Sequence, residues 1–386
     1  MVEWNVSSLA LGCVMVKVRR AMEGNELEYM NWSKTHQRVR YELTESGVPH
    51  APATDIAFDP SVPAPLEVRG TYGDPELIAA IAARYHHPED DVVPVPGASS
   101  ANFIAVAAAV KPGDRILIEE PVYEPLALIA KFLHLQIQFL ARRPEEGFRI
   151  NLDRLDKDLF QGAKAVVLTN LHNPSAQYIS PDEMAAISQR CLEMGAKLIV
   201  GEVYLDAVHI VKGTPLWTAA HFGDHVLATN SLTKVYGLSG IRIGWLLTGP
   251  ELAEQARRIM DLLSVNNAAP SSALAIQAFQ NMERLEERYR GLYSAGRPVF
   301  ADWLEREPRV AGYPNHGAIF ECVRLLGGVK AARLCEFLAQ EFDTRVTPGD
   351  FFQLDDHVRL RTAVPPEDLV EALSRISQAL RRVAGE

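Results

Sequence analysis

The sequence predicts an α/β protein, with a mostly parallel central sheet flanked by helices and a smaller α+β unit beside it. Two observations carry the prediction. From about residue 76 to 250, short apolar runs of strand length alternate with segments of helical periodicity. Beyond residue 250 the segments lengthen into helices, and two further strand-like runs appear before a final amphipathic helix.

Taken in order, PELIAAIAARY (75–85) is a helix opened by proline, and SSANFIAVAAAV (99–110) is a second. DRILIEE (114–120), LQIQFLA (135–141), AKAVVLTN (163–170), AKLIV (196–200), HVLATN (225–230) and IRIGWLL (241–247) read as strands of one buried sheet. PDEMAAISQRCLEM (181–194) is a helix with proline and acidic residues in its first turn. In the last third, AIFECVRL (318–325) and HVRLRT (357–362) are strands, 329–341 is a helix, and EDLVEALSRISQALRRV (367–383) closes the chain's pattern. The expected division is an N-terminal extension over 1–21, a segment packing with the small unit over 22–60, the large α/β unit over 61–275 and the small unit over 276–386. Residues 1–21 read as an upstream extension, because a polar, ordinary start follows at Met22.

With 386 residues, 47% of them hydrophobic, the chain can bury a large core. Its 39 Lys and Arg against 49 Asp and Glu give a formal charge of -10, which opposes attraction to nucleic acid or to an anionic membrane surface. A small-molecule partner is expected instead. The cysteines at 13, 191, 322 and 335 form no C-x-x-C pair and no metal-ligand spacing, so no metal is expected, and reduced thiols in a cytoplasmic protein is the reading they give. No segment is long and apolar enough to span a bilayer.

In such sheets ligands bind outside the carboxyl ends of the strands. There the sequence places NSLTKVYGLSGIRIGW (230–245), a lysine after a strand, with Ser231, Thr233, Gly237, Gly240, Arg242 and Gly244 around it. A lone lysine is most often a solvated surface group. These neighbours argue for more: glycines let backbone approach a ligand, and Arg242 presents a fork suited to phosphate. The order differs from both the dinucleotide fingerprint and the Walker loop.

The run S-x-x-K-x-x-G-x-x-G-x-R-x-G resembles the attachment site of class I/II aminotransferases of fold type I, which use pyridoxal 5'-phosphate. The resemblance implies that Lys234 forms the internal aldimine and later moves a proton, while Ser231 and Arg242 hold the phosphate. Further stretches resemble the same family in the same order. VPGASSANF (95–103) implies phosphate-binding amides at Ala98 and Ser99; EEPVYEPL (119–126) implies a ring-stacking Tyr123; TNLHNPSAQ (169–177) implies a cofactor contact from Asn173. HVRLRTA (357–363) implies that Arg359 receives the substrate carboxylate, with Arg361 its rival by strand periodicity, and ESGVP (45–49) implies a backbone contact at Gly47. The likeness covers residues 35 to 383 and implies amino-acid and 2-oxo-acid substrates and a homodimer. Val68 stands where the family commonly has a tyrosine reaching the neighbouring subunit's phosphate.

One departure is chemical. KLIVGEVYLD (197–206) carries the family's tyrosine, Tyr204, but has Gly201 where the family has the aspartate that pairs with the pyridine nitrogen. Glu202 is expected to face away, since adjacent strand residues point to opposite faces, and Asp206 lies beyond the tyrosine. Without that carboxylate the ring accepts electrons less readily. Three readings follow: another reaction at Cα such as that of a lyase or racemase, a loss of most activity, or a coding or engineered change in an otherwise ordinary transaminase. A transcription regulator on the same fold would require an added DNA-binding domain, for which 21 extra residues are too few.

Overall fold

A computed structural model describes residues 27–61 and 64–383 of the protein. The expected extension, 1–21, lies outside the described residues. In chain order the strands are β1 (Tyr41–Glu42), β2 (Val92–Val95), β3 (Arg115–Glu120), β4 (Gln136–Ala141), β5 (Ala165–Thr169), β6 (Lys197–Gly201), β7 (Val226–Ser231), β8 (Gly244–Leu247), β9 (Val310–Gly312), β10 (Phe320–Leu325), β11 (Thr344–Arg345), β12 (Thr347–Pro348) and β13 (His357–Arg361).

Seven of them form the main sheet in the order β2-β8-β7-β6-β5-β3-β4. Strands β3 to β7 pair in parallel, and only β8 runs against its neighbours β7 and β2. Both faces are covered, which is why the central strands read as continuous apolar runs. Along β6 the side chains alternate: Leu198 and Val200 enter one core with Leu77, Ile81 and Met184, while Ile199 enters the other with Ile104, Leu126 and Met260. The first core is closed by helices Pro75–Tyr85, Pro181–Glu193 and Ala269–Gln280, the second by Ala98–Ala109, Glu124–Phe132 and Pro250–Leu263.

The smaller unit has an antiparallel sheet, β12-β13-β10-β9, and its own core under helices Ala331–Glu341 and Pro366–Val383. The 25-residue helix Met282–Arg306 joins the two units, sending Leu285 and Tyr289 into a core of the large one and Phe300 into that of the small one. The early segment belongs with the small unit: β1 pairs in parallel with β11, and Tyr41 and Leu43 sit in its core.

Two features beside the site differ from the sequence expectation. The strand expected from 241 begins at Gly244, because Ser239–Ile241 forms a tight turn and Arg242 takes a left-handed conformation, φ 53°. Strand β2, not anticipated, pairs antiparallel at the sheet's edge, where Pro94 is tolerated. The carboxyl ends of β3, β5, β6 and β7 lie at one edge, so the loops carrying Tyr123, Asn173, Tyr204 and Lys234 open on the same side.

Candidate active site

Lys234 leaves the sheet three residues after β7. Its Nζ donates to Ser46 Oγ at 3.1 Å, and the hydroxyl of Tyr204 donates to the same oxygen at 2.8 Å. The early segment is held against this loop by backbone, since Val48 N–H donates to the Lys234 carbonyl at 3.0 Å. Gly47 permits the approach: a Cβ there would stand 3.3 Å from both Lys234 Cδ and the Lys234 carbonyl oxygen.

Beside this lies an anion cradle. Helix Ala98–Ala109 starts from Gly97, at φ 82°, and no side chain caps it, so the amides of Ala98 and Ser99 open its N-terminus. The β8 loop crosses against it: a Cβ on Gly244 would lie 2.6 Å from the Gly97 carbonyl carbon and 2.8 Å from the Ala98 nitrogen. The guanidinium of Arg242 packs on Gly97, and its Nη1 donates to the Ser239 carbonyl at 3.3 Å. Ser231 is buried at the end of β7, accepting from Thr233 N–H at 3.3 Å. Free amides at a helix N-terminus, an arginine fork and a hydroxyl are the donor set a phosphate takes.

Arg359 is buried on β13. Its Nη1 donates to Asn173 Oδ1 at 2.7 Å, while Nη2 donates to the Tyr29 hydroxyl at 2.7 Å and the Thr44 carbonyl at 3.1 Å. The rings of Tyr29, Phe320 and Phe352 enclose it, 5.1 to 5.7 Å from the guanidinium carbon. Its Nε is buried and has no hydrogen-bond partner among the described residues. Arg361 instead pairs with Glu45 at 2.6 Å. Of the two rivals, Arg359 is the one beside Asn173.

Tyr29, on helix Glu28–Thr35, links the parts. Burial works to raise its phenol, but the charges of Arg359 and then Lys234 prevail and hold it below the usual tyrosine range. It meets Tyr123 edge-on at 6.2 Å, and the half-buried Tyr123 donates to Met30 Sδ at 3.4 Å. Neither Tyr29 nor Ser46 was anticipated. Ser46 precedes Gly47 in ESGVP (45–49), the one sequence signal that could have found it; Tyr29 carries none.

Gly201 ends β6, between Thr169 of β5 and Thr229 of β7. Glu202 does face away, accepting from Thr218 Oγ1 at 2.8 Å and Ala219 N–H at 2.6 Å, and burial pushes its carboxyl up to about 8. Asp206 accepts from the hydroxyls of Tyr85, at 2.7 Å, and Tyr236. Both carboxylates are committed elsewhere.

Against known proteins, residues 66–376 match the family model described as aminotransferase class I and II. The chain is 27% identical to capreomycidine synthase of Streptomyces vinaceus over 80% of this chain and 79% of that protein. It is 28% identical to histidinol-phosphate aminotransferase of Halorubrum lacusprofundi, over 79% of each, and 24% identical to an aspartate aminotransferase of Sulfurisphaera tokodaii, over 75% of each. In fold it is similar to a PLP-dependent aminotransferase from Streptococcus suis, with a TM-score of 0.84 over 92% of this chain and 98% of that one, at 22% identity. With its fold and most of its length in agreement, the chain belongs to the class I and II aminotransferase family.

Proposed function

We propose that the chain transfers an amino group between an L-amino acid and a 2-oxo acid, using pyridoxal 5'-phosphate attached through Lys234. The residues present fit that group at two of its ends. The cradle of Ala98, Ser99, Ser231 and Arg242 would hold its phosphate, and the Lys234 amine stands beside it as the attachment point. Tyr123 would stack on the ring, with Asn173 and Tyr204 on its phenolic oxygen. When bound, the cofactor supplies an aldehyde that condenses with amines and a ring that draws electrons from the substrate's Cα.

The chain's own residues do the rest. Lys234, hydrogen-bonded through Ser46 to Tyr204, is the amine positioned to take and return the Cα proton. Arg359, preset by Asn173 and Tyr29, offers a charge-assisted fork to the substrate carboxylate. Gly47 supplies backbone close to Lys234. The observation that carries the reading is the convergence of the Lys234 amine, the anion cradle and the buried Arg359 at one sheet edge.

Homodimer formation is part of the proposal. Leu66 and Leu262 are 90% and 85% exposed, Leu263 and Val265 more than half exposed, and Asn266 Nδ2 donates to the Thr71 carbonyl at 3.4 Å, tying the segment after Leu66 to the one that carries Val265. A cytoplasmic setting accords with the unpaired, buried Cys191, Cys322 and Cys335.

A second reading, a lyase or racemase-type reaction at Cα, is favoured by one observation, the missing carboxylate at Gly201. The test is to supply amino-acid donors with 2-oxo-acid acceptors to cofactor-loaded protein and follow keto-acid formation, elimination and racemisation together. Transamination that disappears in Lys234→Ala is expected. Elimination or racemisation without transamination would establish the second reading, and no turnover of any kind would overturn both.

A further inference from the structure

Gly201 leaves the end of β6 without a side chain, and the polar groups that face the gap are specific. A Cβ built there would lie 3.3 Å from Thr169 Cγ2 and 3.9 Å from Thr229 Oγ1, so the two threonines on the flanking strands wall the place from which the family's aspartate projects. Their hydroxyls are spent differently. Thr169 donates to the carboxylate of Glu119, which Arg142 already neutralises at 2.6 Å, so this hydroxyl is turned away from the gap. Thr229 donates to Asn102 Oδ1 at 2.6 Å.

Asn102 is buried in the first turns of helix Ala98–Ala109. It lies four residues, about 6 Å of axial rise, beyond the amide of Ala98 that opens the cradle. Its oxygen is taken by Thr229, and its amide nitrogen makes no hydrogen bond among the described residues. An asparagine whose oxygen is fixed and whose two N–H groups have no partner among the described residues is a neutral donor open to an acceptor. One helix thus carries anion-binding amides at its start and a free amide donor one turn on.

We infer that Asn102, oriented by Thr229, takes the place of the missing aspartate and donates a hydrogen bond to the cofactor's pyridine nitrogen, keeping that nitrogen unprotonated. This rests on the proposed function. An aspartate stabilises the protonated ring by charge, whereas an amide N–H satisfies the lone pair of the neutral ring and disfavours proton uptake. The chain therefore holds its cofactor as a weaker electron acceptor, by construction and not by the loss of one side chain alone.

The test uses the full chain loaded with pyridoxal phosphate labelled with nitrogen-15 in the ring, and reads the ring-nitrogen resonance. The wild-type signal is expected in the neutral-pyridine range, and Asn102→Asp, nearly the same shape, is expected to move it to the pyridinium range. Asn102→Leu is expected to weaken cofactor affinity about fivefold, the effect of one neutral hydrogen bond. Far-ultraviolet dichroism checks that each variant folds. A wild-type pyridinium signal, or a resonance that ignores Asn102→Asp while the cofactor remains on Lys234, overturns this inference alone. Protein that takes up no cofactor overturns it together with the proposed function.

Discussion

Arg359, proposed to receive the substrate carboxylate, sits in a setting already complete: Asn173 and Tyr29 hold two nitrogens, three rings pack around it, and Nε remains buried without a partner among the described residues. A lysine keeps the charge but not the planar fork. Arg359→Lys is therefore expected to raise KM for amino donors about tenfold or more, with a smaller change in kcat, measured by steady-state kinetics. Equal KM values would remove Arg359 from carboxylate binding. Glu202 gives a second prediction. Burial raises its folded-state pKa from 4.5 to about 8, so folding takes up a proton between those values and stability declines as pH rises through that window. Glu202→Gln keeps an acceptor for Ala219 N–H, and its Tm is expected to fall less than that of the wild type between about pH 6 and pH 8.5. Identical slopes would contradict it. At this scale the sequence was legible where function requires a local pattern, as around Lys234. It was silent on Tyr29 and marked Ser46 only as the neighbour of Gly47, since the two reach Arg359 and Lys234 across separations of 330 and 188 residues by tertiary packing.

The cradle depends on two segments touching through backbone. A methyl on Gly244 would meet the Gly97 carbonyl carbon and the Ala98 nitrogen, neither the end of a flexible side chain. Gly244→Ala is expected to cost about 1–3 kcal/mol in urea unfolding and to weaken cofactor binding as well. A variant with unchanged affinity would separate Gly244 from the phosphate site. Deeper in the sheet, the buried pair Glu119–Arg142 joins the carboxyl end of β3 to the residue after β4. Arg142→Met would strand a buried carboxylate, at about 3–5 kcal/mol. Elements were legible where burial on both faces made them continuous and apolar, as in β5, β6 and β7. Helix Leu152–Phe160 was missed because it is short and five of its nine residues are charged, with only Leu155 and Leu159 buried.

For the whole molecule, the order of alternating strands and helices disclosed the two units, since parallel strands need helical crossovers on both faces. What composition could not disclose was the early segment's place, set by β1 pairing with β11 some three hundred residues away. The exposed apolar residues Leu66, Leu262, Leu263 and Val265 belong to this scale too. Leu262→Asp is expected to shift the protein from dimer to monomer in light scattering, and a wild-type monomer would contradict the proposed assembly. The central claim concerns one amine. Cofactor-loaded protein treated with borohydride and digested should carry the added pyridoxyl mass on the peptide containing Lys234, whereas cofactor mass on another lysine, or on none, would contradict the account.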